Sequence, residues 1–464
     1  MTKINFARHF YAGRSKPVSA QKLVNLYAQD EPEDAKNIVS LIGTPGLKSY
    51  LTVGNGPIRG SIEMGGDLYV VSNSNVFKID SLGVKTDLGA MNFVSGNVSI
   101  AENGTQVLIV NPSGDGYIAT SSTLAIISDV DFPVASSVTY MDTYFIVSEK
   151  DTGKFFISAQ NDGTAWAALD FTTAESDPDN IIIVKAYNDA LWVFGEISIE
   201  VYYNSGNADF PFEAIQGGKI EKGCAAKLSV ATENNILFWL GDDKVVYAAS
   251  GYSPIPISNY AINKQIEDMV VINDAYGFIY SQEGHDFYIL TFPTELLTFA
   301  YDITTKLWHQ RQSFEEGRWL VNSFTSIFQK LIVGDFNSNN LYELDLDTYL
   351  DGSTTIQRIA VTAPLFAEGK RFITNRLRID IEAGVGLTTG QGSDPKGMLE
   401  FSDDGGQTWS NERWVAIGKI GEYKNRLVWR RLGQSRERVY RLTISDPVKT
   451  VISGAYITSK LGIE

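Results

Sequence analysis

The side chains best suited to chemistry in this sequence are three histidines, one cysteine and a surplus of carboxylates, and none falls into a spacing that a reaction needs. His9, His285 and His309 are far apart and have no Cys or His beside them, so the ligand spacing of a zinc site is absent. A Ser-His-Asp arrangement is set in space rather than along the chain; even so, no Gly-x-Ser-x-Gly elbow occurs. His285 opens an apolar run and His309 follows Trp308, and both positions read as structural. Cys224, between Gly223 and Ala225, reads as a small buried residue rather than a nucleophile. With 55 Asp and Glu, some carboxylate pair falls at glycosidase distance by chance, so pairing alone singles out no acid and nucleophile. Gly384-x-Gly386-x-x-x-Gly390 lacks the spacing of a dinucleotide fingerprint, and no helical pattern follows it. No catalytic residue, no metal and no cofactor is expected.

Two clusters near the carboxyl end are sharper. Ser402-Asp-Asp-Gly-Gly-Gln-Thr-Trp409 fits the Asp-box pattern Ser-x-Asp-x-Gly-x-Thr-Trp at Ser402, Asp404, Gly406, Thr408 and Trp409, and resembles the repeated motif of sialidases and related propellers. Physically it is a hairpin turn: Asp404 bonds backbone amides, Gly405 and Gly406 permit positive φ, and Trp409 packs beneath. A single copy supports a hairpin, not a glycosidase. The second cluster, within Arg426–Arg441, is basic: Arg430, Arg431, Arg436, Arg438 and Arg441. On a strand they alternate between faces. Arginines sharing a face suit bidentate capture of carboxylates or phosphates on a neighbouring subunit; a solvated strand face is the other reading.

The elements that must position these residues are strands. Apolar β-runs behind turn residues recur at Gly66–Val71, Gly104–Val110, Asp142–Val147, Asn188–Phe194, Asn234–Leu240, Gly284–Leu290 and Gln329–Gly334, most with a second run eight to twelve residues later. Anchored on Leu68, Val107, Tyr144, Leu191, Ile236, Phe287 and Leu331, the spacings are 39, 37, 47, 45, 51 and 44 residues, near the length of a four-stranded propeller blade. The expected architecture is all-β: a six- or seven-bladed β-propeller over residues 51–350, preferred to a pair of sandwiches. An N-terminal extended arm over 1–50 precedes it and a C-terminal β-sandwich-like domain over 351–464 follows it.

Composition narrows the function classes. The chain has 464 residues and a formal charge of −16, which argues against general affinity for nucleic acid. Gly352–Glu464 holds 17 Lys and Arg against 12 Asp and Glu, a net of +5, while Met1–Asp351 holds 22 against 43, a net of −21. An acidic body carrying a basic domain points to self-assembly through opposite charges. No signal peptide is evident, no run of 18 apolar residues occurs, and the single cysteine excludes an internal disulfide. Synthesis in a cytoplasm and no membrane contact are expected.

Ser19–Tyr27 with Gly43-Thr-Pro-Gly-Leu47 resembles the start of many phage tail proteins, and Trp429–Arg436 with Arg441–Pro447 resembles their end. With the segment Ile181–Tyr203, these blocks make the chain similar to the packaged-DNA stabilisation proteins, or tail hubs, of short-tailed Salmonella-type phages. The resemblance implies a non-enzymatic virion protein, made in the host bacterial cytoplasm, that assembles as a hexameric ring beneath the portal and head-to-tail adaptor. There it would help retain packaged DNA and dock the tail needle and tailspikes, meeting DNA only as the genome passing through the lumen. Acidic walls would repel that DNA. A carbohydrate-active or glycan-binding tail propeller is the alternative.

Overall fold

The computed structural model describes residues 2–4, 6, 8–35, 37–174, 178–233 and 235–462. Among the described residues seven four-stranded antiparallel blades follow one another around an axis, five as separate sheets and two as parts of larger ones. Their innermost strands are Ile58–Met64, Ser99–Glu102, Ala135–Met141, Ile181–Tyr187, Ala231–Glu233, Tyr276–Gln282 and Val321–Ile327. The ring closes where the last of these lies against the first. Each run anchored in the sequence is the second strand of its blade; Asn234, which heads the fifth, lies outside the described residues.

The reason is burial. Second strands are covered by blades on both faces and so read as continuous apolar runs, as in Leu68-Tyr-Val-Val71 and Leu191-Trp-Val-Phe194, all fully buried. Innermost strands converge on the axis and need small residues there. A Cβ on Gly60, for instance, would stand 2.7 Å from Val98 and 2.9 Å from Ile100. Serines bond across the gaps between blades: Ser99 Oγ accepts from Val138 N at 3.0 Å and Ser137 Oγ from Val184 N at 3.1 Å. Five of the first hairpins turn on two residues with positive φ (Gly65-Gly66, Asp142-Thr143, Asn188-Asp189, Glu283-Gly284, Phe328-Gln329), the geometry whose twist matches the strands.

Residues 1–50 are not the extended arm expected; they supply strands to both domains. Gly46–Thr52 is the outermost strand of the seventh blade, paired with Asn340–Asp345, so the chain's two ends of the propeller are stitched in one sheet. Ala20–Val24 joins the sixth blade's outer strand Leu307–Arg311 to the sandwich strand Arg358–Val361. Leu26–Asp30 and Val39–Gly43 form a hairpin on the other sandwich sheet, and Thr2–Ile4 lies along Val451–Leu461. Residues 1, 5, 7 and 36 of the expected arm lie outside the described residues.

The sandwich packs one sheet (Leu26–Asp30, Val39–Gly43, Val451–Leu461, Phe372–Ile381, Leu427–Arg430) on a second (Ala20–Val24, Arg358–Val361, Glu437–Ile444, Lys396–Ser402, Arg413–Ala416). Leu23, Leu41, Leu377, Leu399, Trp429 and Leu442 fill the space between them. That second sheet is continuous with the sixth blade, which fixes the domains to each other through backbone hydrogen bonds. Asn25 locks the join. Its backbone sits at φ 54°, and its buried side chain donates to Gln312 O (2.7 Å) and Gln357 O (2.8 Å) and accepts from Gln312 N (3.0 Å).

Candidate functional site

The Asp-box turn and two of the basic residues form one structure. Ser402 Oγ donates to Asp404 at 2.6 Å and accepts from Gly406 N at 2.7 Å. Asp404 accepts further from Gln407 N (2.9 Å), Thr408 N (3.0 Å) and Thr408 Oγ1 (2.5 Å). These bonds, from Ser402 and Thr408 above all, hold the Asp404 carboxyl well below the usual carboxylate range. The turn's backbone closes on the loop between Tyr11–Ala12 and Ala20–Val24, which pair as a hairpin: a Cβ on Gly405 would stand 2.6 Å from Pro17.

Behind the turn, Arg441 clamps Glu400 bidentately (2.6 and 2.7 Å), the residue opposite it on Lys396–Ser402, with its guanidinium 4.2 Å from the Trp409 ring centre. Arg438, buried, clamps Asp403 (2.6 and 2.7 Å), donates to Leu432 O, and lies 4.2 Å from the Phe401 ring centre. Both arginines are therefore spent inside the domain.

Arg430, Arg431 and Arg436 are exposed. Arg430 stands directly opposite Arg376 in the antiparallel pair Phe372–Ile381 and Leu427–Arg430, and Arg376 Nε is buried with no hydrogen-bond partner among the described residues. Like charges placed opposite each other are destabilising unless something anionic covers them. Arg378 shares this outer face but is satisfied by Asp380 at 2.7 and 2.8 Å. Arg376 escaped the sequence reading because its neighbour in space lies 54 residues away along the chain.

Two of the three histidines are bound into the interior. His285 Nδ1 contacts Asp302 Oδ2 at 2.8 Å, and that carboxylate also takes Thr305 Oγ1 at 2.7 Å; the hydrogen bond raises the His285 pKa. The ring is stacked on Phe287 and edged by Tyr27. His309 is buried, and desolvation, with Arg311 nearby, pushes its pKa down to about 3. His9 is half-buried and rests edge-on to Tyr11. Cys224 is buried with its thiol pushed up to about 12, the opposite of an activated nucleophile. Among the described residues no group of three His, Cys, Asp or Glu is placed to hold a metal ion, and no helix is long and apolar enough to cross a membrane.

No curated protein matches the chain. The solved structure titled "Structure of U3-55K" aligns with a TM-score of 0.43 at 8% identity, over 65% of this chain and 99% of that one. The sequence pattern described as "Bacteriophage P22 Gp10, beta-propeller" matches residues 15–349, and its companion, "Bacteriophage P22 Gp10, beta-sandwich", matches residues 357–460. Both domains and nearly all of the chain are covered, and the chain belongs to the bacteriophage P22 Gp10 family.

Proposed function

We propose that this structural protein of a phage tail forms a ring beneath the portal and adaptor. In that ring the basic outer face of one copy's sandwich meets the acidic propeller region of the next. The observation that carries this reading is the unpaired arginine couple Arg376–Arg430, flanked by the exposed Arg431 and Arg436, in a chain whose first 351 residues carry a net of −21. A contact between two different surfaces repeats head to tail, and closes when the rotation per copy divides a full turn. The continuous sheet between blade and sandwich suits this use, because a hinge there would let the rotation drift.

Such a ring would help retain packaged DNA, and its outer surfaces would dock the tail needle and tailspikes. Acidic residues facing the lumen would keep phosphates from adhering as the genome passes. Catalysis plays no part: His285, His309 and Cys224 are enclosed, and Asp404 is occupied by the turn it organises.

The test is co-sedimentation with the portal–adaptor complex of the cognate phage. Wild type is expected to join it; Arg430→Glu, which is exposed and leaves the fold intact, is expected to stay behind. Equal binding by both would remove the sandwich face from the interface.

A further inference from the structure

The propeller axis contains a cavity of about 210 Å³ to which all seven blades contribute. Its cationic side chains are Arg59, Lys185 and Lys227, and no carboxylate lines it. In a chain of net charge −16, that is the reverse of what chance placement gives. Arg59 is already satisfied: it donates to Gly96 O, Asn73 O, Phe93 O and Ser95 O at 2.6 to 2.9 Å and orders the loop at the rim.

The lysines are less committed. Lys185 has no hydrogen-bond or ion-pair partner among the described residues. Lys227 donates one hydrogen bond, to Ser136 O at 3.3 Å, and has no second acceptor among the described residues. Both are desolvated: burial pushes the pKa of Lys185 down, and burial with the Lys150 charge pushes that of Lys227 down. Both residues are half-buried and line the cavity, so an anion that enters it meets cations and no carboxylate. Ser61, Ser99 and Ser323 line the same cavity and add neutral polar groups. The cavity shares Arg59, Asn97, Lys227, Leu228 and Asn322 with a wider one of about 500 Å³, rimmed by Pro57, Pro112 and Pro293 and lined also by Asp274 and Arg318, which provides the way in.

We propose that the propeller axis is a binding site for a small oxyanion of the phosphate class, held between the ammonium groups of Lys185 and Lys227. The anion ties the fourth blade's innermost strand to the segment that leads into the fifth, so it acts as an axial pin. The assignment is independent of ring formation, since the axis belongs to a single copy.

Isothermal titration of the whole chain with inorganic phosphate, at constant ionic strength set by chloride, tests it. Wild type is expected to bind one phosphate saturably. Lys185→Met and Lys227→Met each keep the apolar stem and are expected to weaken binding about tenfold or more, the loss of one charge-assisted hydrogen bond. Lys424→Met, an exposed lysine of the sandwich, is expected to bind as wild type does. If a cavity variant fails to fold, acetylation of wild-type lysines mapped by mass spectrometry replaces it, with phosphate expected to protect Lys185 and Lys227 selectively. No saturable binding, equal binding by the cavity variants, or uniform protection of all lysines would each overturn the proposal.

Discussion

Replacing Asn25 by alanine should do more damage than any other single change at the join between the domains. The side chain is 2% exposed and makes three hydrogen bonds, all to main-chain groups: two donated, to Gln312 O and Gln357 O, and one accepted from Gln312 N. Alanine leaves two carbonyls and one amide buried and unanswered, at about 1 kcal/mol each. It also places an ordinary Cβ at φ 54°, a left-handed conformation that costs about 1 kcal/mol more for alanine than for asparagine. The sum is about 4 kcal/mol, which is large for one residue. Asn25→Gly removes the same bonds but tolerates the backbone, so it should recover part of the last term. Urea unfolding followed by tryptophan fluorescence measures both losses, and hydrogen exchange at Gln312 N–H should quicken in both variants. Unfolding of both within about 1 kcal/mol of wild type would show that these three buried bonds do not hold the join.

Three further outcomes are expected. His309 is held neutral in the fold, its pKa near 3 against an ordinary 6.5, so below pH 6.5 the unfolded chain takes up protons that the native one refuses. Stability should therefore fall as pH drops from 6.5 toward 3, by about 2 kcal/mol at pH 5, and thermal melts of His309→Phe should show that much less acid sensitivity. Thr143, β-branched and exposed at φ 76° in a two-residue turn, is strained, and Thr143→Gly should raise stability by about 0.5 kcal/mol in urea titration despite glycine's entropy. Gly46→Ala would set a methyl 2.3 Å from Thr348 O and 2.6 Å from Leu350 O, at the start of the strand that closes the propeller, and should cost about 3 kcal/mol by the same assay.

The propeller was legible because its second strands are buried on both faces and write apolar runs into the sequence at blade spacing. The innermost strands were silent: Ser99-Ile-Ala-Glu102 and Ala135-Ser-Ser-Val138 carry the small and polar residues that crowding at the axis demands. Residues 1–50 were misread as an arm because their pairing signal is not local. Gly46–Thr52 answers to Asn340–Asp345, and Thr2–Ile4 to Ala455–Ile457, so little apolar periodicity marks them. The basic cluster was half legible. Arg438 and Arg441 belong to Asp403 and Glu400, carboxylates 35 and 41 residues upstream, in the turn after the adjoining strand and on that strand, and only a known register reveals that. The same register brings Arg376 to Arg430. The axial lysines, 42 residues apart and each in an unremarkable context, carry no sequence signal at all.

The most direct test of ring formation is the mass of the assembly made when the purified chain is mixed with its portal–adaptor complex, set beside the mass of the chain alone. The expected result is a monomer that adds to the complex as a closed hexameric ring, with no partial rings at saturation. A chain that stays monomeric beside the complex, or binds it in variable numbers, would contradict it.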